Sequence, residues 1–175
     1  MGKKLIRTMK ETQLQGFTRP LLASNISRVL GVRYCVKGME VDGETYDIFT
    51  DEKGMIIDIL KGLSVAPPPK ENMPGHLLKL RRQEQYFYLD EDHLASHRDL
   101  VYIEDSVKGG GSATHGVIAP RYVMHIDSYI SFLSATQRFW EVLSEQTTSS
   151  ETRTQSAIEQ QLNAESKKLF NKPDR

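Results

Sequence analysis

A proline-rich segment near the middle of the chain sets the strongest limit on its fold. Residues 66–74 read Ala-Pro-Pro-Pro-Lys-Glu-Asn-Met-Pro, so four prolines fall within nine residues. Proline fixes φ and lacks a backbone N–H, which excludes a helix or an internal strand here. We interpret the segment as a surface connector, with a peptide-ligand role for the Pro-Pro-Pro tract as the alternative.

Composition narrows the class of protein. Hydrophobic residues make up 38% and charged residues 26% of the 175 residues, too apolar for a wholly disordered chain and too polar for a membrane protein. The basic start lacks the apolar region of a secretory signal. The single cysteine, Cys35, excludes a disulfide framework and a cysteine-rich metal site within one chain. We therefore expect a cytoplasmic protein with no membrane association and no cofactor.

The net charge is zero, but the charges are unevenly distributed. Residues 1–37 carry a net charge of +7, whereas 38–66 and 90–107 each carry −5. Residues 67–89 and 108–140 each carry +2. Because salt screens charges beyond about 8–10 Å, local charge rather than the total decides contacts with a polyanion. Acidic and basic faces that pair within one fold are the alternative interpretation.

Short elements are predicted in the first half of the chain. Residues 1–19 lack sustained periodicity and are expected to form a mobile or partner-ordered basic arm. Apolar residues at helical spacing predict a short amphipathic helix over about 20–30. Strand-like runs are predicted at 33–36 and 46–49, and the second run is also the first strand of a predicted hairpin. Residues 75–96 are predicted to form a helix and then a second helix or turn.

The second half begins with strand-like runs at 99–104 and 117–118, separated by a glycine-rich loop. A helix is then expected to open at Pro120, where proline costs no hydrogen bond. Its apolar face would comprise Tyr122, Val123, Ile126, Tyr129, Ile130 and Leu133. Phe139 and Trp140 continue the apolar pattern, and we interpret them as core. His115 is interpreted as a turn residue and His125 as a partly buried ring.

The composition changes after residue 146. Residues 147–175 are rich in Ser, Thr and Gln, with Ile158, Leu162 and Leu169 as a thin apolar stripe. Such a helix needs another surface to cover it, so self-association through residues 155–170 is predicted. The expected organisation is a basic arm (1–19), an α+β domain (20–146), and a polar linker with a C-terminal helix or tail (147–175).

Motifs for catalysis or metal binding are weak. His93 and His97 are four residues apart, but Leu94 stands where a metalloprotease would have its glutamate, so chance pairing is favoured. There is no G-x-S-x-G turn, and Cys35 has no neighbouring base in sequence. In the glycine-rich loop Lys108 precedes the glycines, unlike the P-loop lysine. We predict no catalytic residue and no metal site, and keep a small enzyme as the third functional alternative.

The sequence GGGSATHGVIAPRYVMHIDSYIS, residues 109–131, resembles the second half of the KilA-N domain of phages and large DNA viruses. Pro120 falls on the family's proline, His125 on its frequent histidine and Ser131 on its serine. Upstream, Lys53–Leu60 is similar to the family's hairpin pattern, keeping its glycine, alternation and leucine. The resemblance covers roughly Tyr46–Leu143.

This resemblance implies a small α+β fold of the KilA-N/APSES type and a phage-type regulator that binds double-stranded DNA in the host cell without catalysis. The candidate phosphate contacts are the basic residues Lys3, Lys4, Arg7, Arg19, Arg28, Arg33, Lys79, Arg81, Arg82, Lys108 and Arg121. The alternative is an antirepressor or inhibitor that binds a host or phage regulatory protein through the acidic segments 38–66 and 90–107.

Overall fold

The part of the chain that the structure describes has an α+β fold, as the sequence predicts. The computed structural model describes residues 2–22, 26–95, 97–106 and 114–144. Nearly all of them belong to the first of two units, Met1–Val142 and Leu143–Arg175. The strands are β1 (Lys4–Leu14), β2 (Phe17–Pro20), β3 (Tyr34–Val36), β4 (Ile48–Thr50), β5 (Leu63–Val65), β6 (Glu84–Asp90), β7 (Leu100–Ser106), β8 (Thr114–Pro120) and β9 (Glu141–Val142). The helices are α1 (Glu91–Ala95) and α2 (Ile126–Ala135), with 3₁₀ segments at Ile26–Gly31, Lys70–Asn72, Gly75–Leu77 and Gln137–Phe139.

The basic N-terminal segment forms β1 and β2, so the prediction of a mobile arm over residues 1–19 is wrong. The turn between the two strands, Gln15 and Gly16, has φ of 52° and 83°. A two-residue hairpin turn whose twist matches that of the flanking strands requires positive φ at both positions. Leu5 and Ile6 are both buried because β1 is covered on each side at its start. The segment is therefore part of the folded unit and not a separate arm.

Two antiparallel sheets meet through β1. The first has strand order β2-β1-β6-β9, and the second has order β5-β8-β7. Ile6 pairs with Tyr88 of β6 on one edge of β1 and forms an isolated bridge with Ala66, just after β5, on the other. The Ile6 and Ala66 backbones exchange both hydrogen bonds, at 2.7 and 2.9 Å. The two sheets thereby form one curled surface.

Strand alternation and α2 supply the core. Side chains of Leu63 and Val65 on β5 and of Phe87 and Leu89 on β6 are buried, whereas the residues between each pair are only partly so. Four residues of α2 complete the core: Ile126, Tyr129, Ile130 and Leu133. This confirms the apolar face predicted for the C-terminal helix, except that Tyr122 and Val123 precede it and are exposed.

Three predicted elements differ from the structure. The helix expected at 20–30 is a 3₁₀ segment at Ile26–Gly31. The helix, followed by a second helix or turn, that is expected over 75–96 is largely wrong, because the aromatic run in Glu84–Asp90 forms β6 and only Glu91–Ala95 is α-helical. The hairpin that begins at 46–49 is reduced to a single antiparallel bridge between Thr50 and Ile56, and β4 pairs instead with β3 in parallel.

The start of the C-terminal helix is also wrong. Pro120 ends β8, and α2 begins six residues later with His125 as its N-cap. By contrast, the strands predicted at 99–104 and 117–118 are confirmed as β7 and β8. The loop after Lys108 and the predicted oligomerisation helix at 155–170 lie outside the described residues.

Candidate functional site

Several basic residues predicted to contact DNA are engaged within the fold. The Lys3 Nζ forms an ion pair with Glu104 at 2.9 Å, and the Arg33 Nε lies 3.8 Å from an Asp47 oxygen. The ammonium of Lys4 lies 5.0 Å from the centre of a tyrosine ring. Each cation therefore already has an intramolecular partner, which reduces what it would gain from a phosphate.

Two predicted DNA-binding arginines donate to backbone carbonyls. Arg19 Nη1 lies 2.6 Å from the Trp140 oxygen, which ties β2 to the start of β9. Arg121 Nη2 lies 3.3 Å from the Leu100 oxygen, next to the β7–β8 pair. These contacts assign both side chains a structural role.

Lys79, Arg81 and Arg82 differ from the other candidates. All three are exposed and precede β6. In the part of the chain that the structure describes, no carboxylate forms an ion pair with any of them. The remaining candidates, the side chain of Arg28 and all of Lys108, lie outside the described residues.

A cavity of about 440 Å³ opens on the face of the second sheet that points away from the core. Its size is in the range of small-molecule sites. The walls come from the segment before β4, the loop before β5, and all three strands of that sheet. The lining residues are Tyr46, Asp47, Asp58, Leu60, Lys61, Gly62, Ser64, Ile103, Glu104, His115 and Val117.

Sheet register brings Ser64 and His115 together in this cavity. In the β5–β8 pair Ser64 is opposite Val117, so His115, two residues earlier on β8, is its diagonal neighbour on the same face. The Ser64 Oγ and the His115 Nε2 are 2.5 Å apart. A hydroxyl in hydrogen-bond contact with an imidazole is the arrangement that activates serine as a nucleophile. The two residues are 51 positions apart in sequence.

Arg7 contacts Ser64 from β1. Its Nη1 donates to the Ser64 carbonyl at 2.5 Å, and its Nη2 donates to the Gly31 carbonyl at 3.3 Å. The Nε is buried and has no hydrogen-bond partner among the described residues. Burial lowers the pKa of Arg7 below its usual value, and the nearby charge of Asp47 opposes this shift. An arginine remains charged under such conditions, so a positive charge lies beside Ser64.

Tyr129 and Gly62 fix the strand that carries Ser64. The buried Tyr129 hydroxyl accepts from the Leu63 N–H at 3.0 Å and donates to the Ile118 carbonyl at 2.6 Å. Burial raises the pKa of Tyr129 well above its ordinary value. A Cβ on Gly62 would lie 2.1 Å from the Ile118 oxygen, so only glycine fits this approach. The backbone just before Ser64 is therefore fixed by the Tyr129 hydroxyl and by the close approach of Gly62 to β8.

The carboxylates of the cavity are largely occupied. Glu104 is paired with Lys3, and Asp47 accepts from the Arg33 backbone N–H at 2.8 Å as well as approaching its side chain. Asp58 accepts from a backbone N–H two residues later and so closes its own turn. Each of the three carboxylates therefore has at least one partner within the described residues.

Three other histidines have structural surroundings. His93 and His97 both pack against Phe139, with ring centres 4.6 and 5.9 Å apart. His125 accepts from the Asp127 N–H and lies 3.4 Å from its carboxylate. In the described residues, no group of three or more metal-binding side chains occurs.

Comparison with known proteins adds no assignment. No family model, curated protein or solved structure matches the chain. The KilA-N resemblance therefore stays a prediction. Within the described ranges, no helix is long and apolar enough to cross a membrane.

Sequence reasoning missed both members of the cavity pair. Ser64 lies between the buried Leu63 and Val65, an alternation that marks a residue on the opposite face of a strand. That signal was present in the sequence, but it covers only three residues. His115 was interpreted as a turn residue because it follows the glycine-rich loop, whereas it lies within β8.

Proposed function

We propose that the protein is a small serine-dependent hydrolase, with Ser64 as nucleophile and His115 as general base. The observation that carries this proposal is the 2.5 Å contact between Ser64 Oγ and His115 Nε2 inside a cavity of about 440 Å³. The cavity size favours a small substrate.

The chemistry follows from the pair. Ser64 Oγ attacks the carbonyl carbon of an ester while its proton passes to His115 Nε2. The bond from that carbon to the leaving oxygen then breaks, and His115 returns the proton to the departing alcohol. Water repeats the sequence on the acylated serine, which yields the acid and restores Ser64. Lys61 supplies a positive charge among the lining residues.

A fluorophosphonate probe tests the nucleophile without knowledge of the substrate. Reaction would form an oxygen–phosphorus bond at Ser64 and expel fluoride, so intact mass measures the adduct and peptide mapping locates it. We expect one adduct per chain, none in S64A, and a rate lower by about 10²-fold or more in H115N.

Two control variants change a serine and a histidine outside the cavity pair. S128A removes an exposed serine of α2, and H97N removes a histidine that packs on Phe139. Both should react at the wild-type rate. No adduct in the wild type, an adduct at another residue, or equal rates in H115N and wild type would each contradict the proposal.

DNA binding is the second candidate, and the exposed cations before β6 favour it, because none of them forms an ion pair with a described carboxylate. Lys79, Arg81 and Arg82 are joined there by Lys10, which lies opposite Glu84 in the β1–β6 pair. Such a cluster would contact phosphates rather than bases, so binding would be salt-dependent and weakly selective.

Fluorescence anisotropy with a duplex of mixed sequence tests this candidate. Log affinity should fall linearly with log salt, by about 0.9 per phosphate contact, and R81E/R82E should reduce the slope by about two contacts. K37E changes an exposed lysine elsewhere and should leave the slope unchanged. If the wild type and R81E/R82E bind equally at every salt concentration, this surface does not contact DNA.

A further inference from the structure

The hairpin of β1 and β2 extends beyond the rest of its sheet. Strand β1 pairs with β6 only over Lys4–Lys10, so its last four residues pair with β2 alone. A Cβ on Gly16, in the turn, would meet no described atom within 4 Å. Leu14 and Phe17 flank this turn as a cross-strand pair and are 39% and 61% exposed. The hairpin therefore presents an apolar pair at its tip.

The apolar pair shares its face of the hairpin with cations. Directly opposite residues of an antiparallel pair lie on one face, as do alternate residues along each strand. Arg19 therefore lies on the same face as Leu14 and Phe17, and alternation along β1 places Lys10 there as well. The only acid between residues 10 and 20, Glu11, falls on the opposite face.

Arg19 holds the Phe17 ring in its exposed position. The Arg19 Nη1 donates to the Trp140 carbonyl at 2.6 Å, which fixes the guanidinium to the body of the domain. The guanidinium carbon lies 5.1 Å from the centre of the Phe17 ring, within the range of a cation–π contact. A ring that is held in place before binding loses little freedom when a flat ligand stacks on it.

Further cations adjoin the base of the hairpin. The Glu11 N–H donates to the Gln83 carbonyl at 2.9 Å, which places the segment before β6 beside β1. The exposed cations of this region are Lys10, Lys79, Arg81 and Arg82. The acid opposite Lys10, Glu84, accepts from the Arg81 backbone N–H at 2.8 Å. A polyanion that also offers flat apolar groups complements this combination of charge and exposed ring.

We propose that the hairpin binds single-stranded nucleic acid, with Phe17 stacking on a base and the neighbouring cations contacting phosphates. This inference rests on the DNA-binding candidate, because it names the form of nucleic acid that this region binds. An aromatic side chain stacks on any unpaired base, whereas in a duplex it reaches a base face only by separating two stacked base pairs. A lipid surface is less favoured, since membrane binding grows with the buried apolar area and one Phe–Leu pair offers little.

Fluorescence anisotropy of a labelled oligo(dT) of about 12 nucleotides, within the usual range of site sizes, measures binding to the full chain. F17A should weaken binding by about 5-fold or more and leave the salt slope unchanged, because it removes stacking but no charge. R81E/R82E should instead lower the slope, by about 0.7 per lost phosphate contact. M39A truncates an exposed apolar side chain elsewhere and should bind like the wild type.

F17W gives a direct signal of stacking. Trp140 is completely buried, so its emission in the wild type should not respond to the oligonucleotide. The tryptophan introduced by F17W should be quenched when a base stacks on it. Unquenched F17W at saturating oligo(dT), or F17A that binds as tightly as M39A, would overturn the inference. Binding to phosphatidylcholine–phosphatidylglycerol vesicles without binding to oligo(dT) would also overturn it and assign the tip to a lipid surface.

Failure of this inference is distinguishable from failure of the DNA-binding candidate. A wild type that binds a duplex at least as tightly as oligo(dT), with F17A unchanged on both, would overturn the inference alone. Absence of salt-dependent binding to either form would overturn both. Weaker oligo(dT) binding in F17A, with R81E/R82E equal to the wild type on the duplex, would support the hairpin and remove Arg81 and Arg82 as duplex contacts.

Discussion

Gly62 is the position at which a single methyl group should disturb both the fold and the site. The Cβ of an alanine there would lie 2.1 Å from the Ile118 oxygen and 2.8 Å from the Tyr129 hydroxyl, so the backbone must move. Overpacking of this kind costs about 1–3 kcal/mol. The movement also breaks the Tyr129–Ile118 hydrogen bond, which leaves a buried polar group unpaired at a cost of about 1–3 kcal/mol. We therefore expect G62A to lower the free energy of unfolding by about 2–6 kcal/mol.

Urea denaturation followed by tryptophan fluorescence measures this loss, because Trp140 is buried in the same unit. With a slope of about 2 kcal/mol per M, the midpoint should fall by about 1–3 M. G75A is the matched control, since a Cβ on Gly75 meets nothing within 4 Å. Its midpoint should remain within about 0.3 M of the wild type. A G62A midpoint equal to that of G75A would refute the packing argument.

The remaining predictions concern a buried phenol and a helix cap. Burial raises the pKa of Tyr129 in the folded protein. The neutral phenol therefore contributes its full stabilisation of the fold below the unfolded-state pKa of about 10, and this stabilisation is lost as the pH rises above that value. Unfolding free energy should therefore fall from pH 10 upward, by up to about 1.4 kcal/mol per pH unit for this group, and Y129F should show a shallower fall in denaturation at pH 9–11. H125A removes the acceptor for the Asp127 N–H and should cost about 1 kcal/mol in urea, whereas H125N should retain most of the stability. Equal losses in the two His125 variants would argue against capping.

The α+β class was accessible from sequence because some strands and one helix face carry clear local patterns. The β6 strand was missed although its buried residues, Phe87 and Leu89, alternate with partly exposed ones. Leucines at 77, 78 and 80 drew the prediction toward a helix, yet the aromatic residues that follow favour strand. The wrong helix prediction gave the leucines more weight than the aromatic residues.

The role of the N-terminal segment was not accessible in the same way. The basic residues of β1 lie three apart with buried apolar residues between them, and its partner, β6, begins about 70 residues after β1 ends. The local charge shows correctly that the N-terminal segment is cationic. The segment is folded because β1 pairs with the distant strand β6, which local charge does not reveal. For this reason Arg7, grouped by sequence with candidate DNA contacts, is instead a neighbour of Ser64.

The candidate site follows from the same alternation that builds the core. On β5 the residues at 63 and 65 enter the core, which requires the residue between them to face the other side of the sheet. Tyr129 of the core helix binds the backbone of that strand, so the core sets where Ser64 lies. Ser64 lies on a strand of only three residues, on the face of the sheet opposite the core. The hydrogen bonds of so short a strand would position its contact with His115 poorly if nothing else held the strand. The contacts that Tyr129 makes with the Leu63 backbone and Arg7 makes with the Ser64 backbone supply the missing constraint.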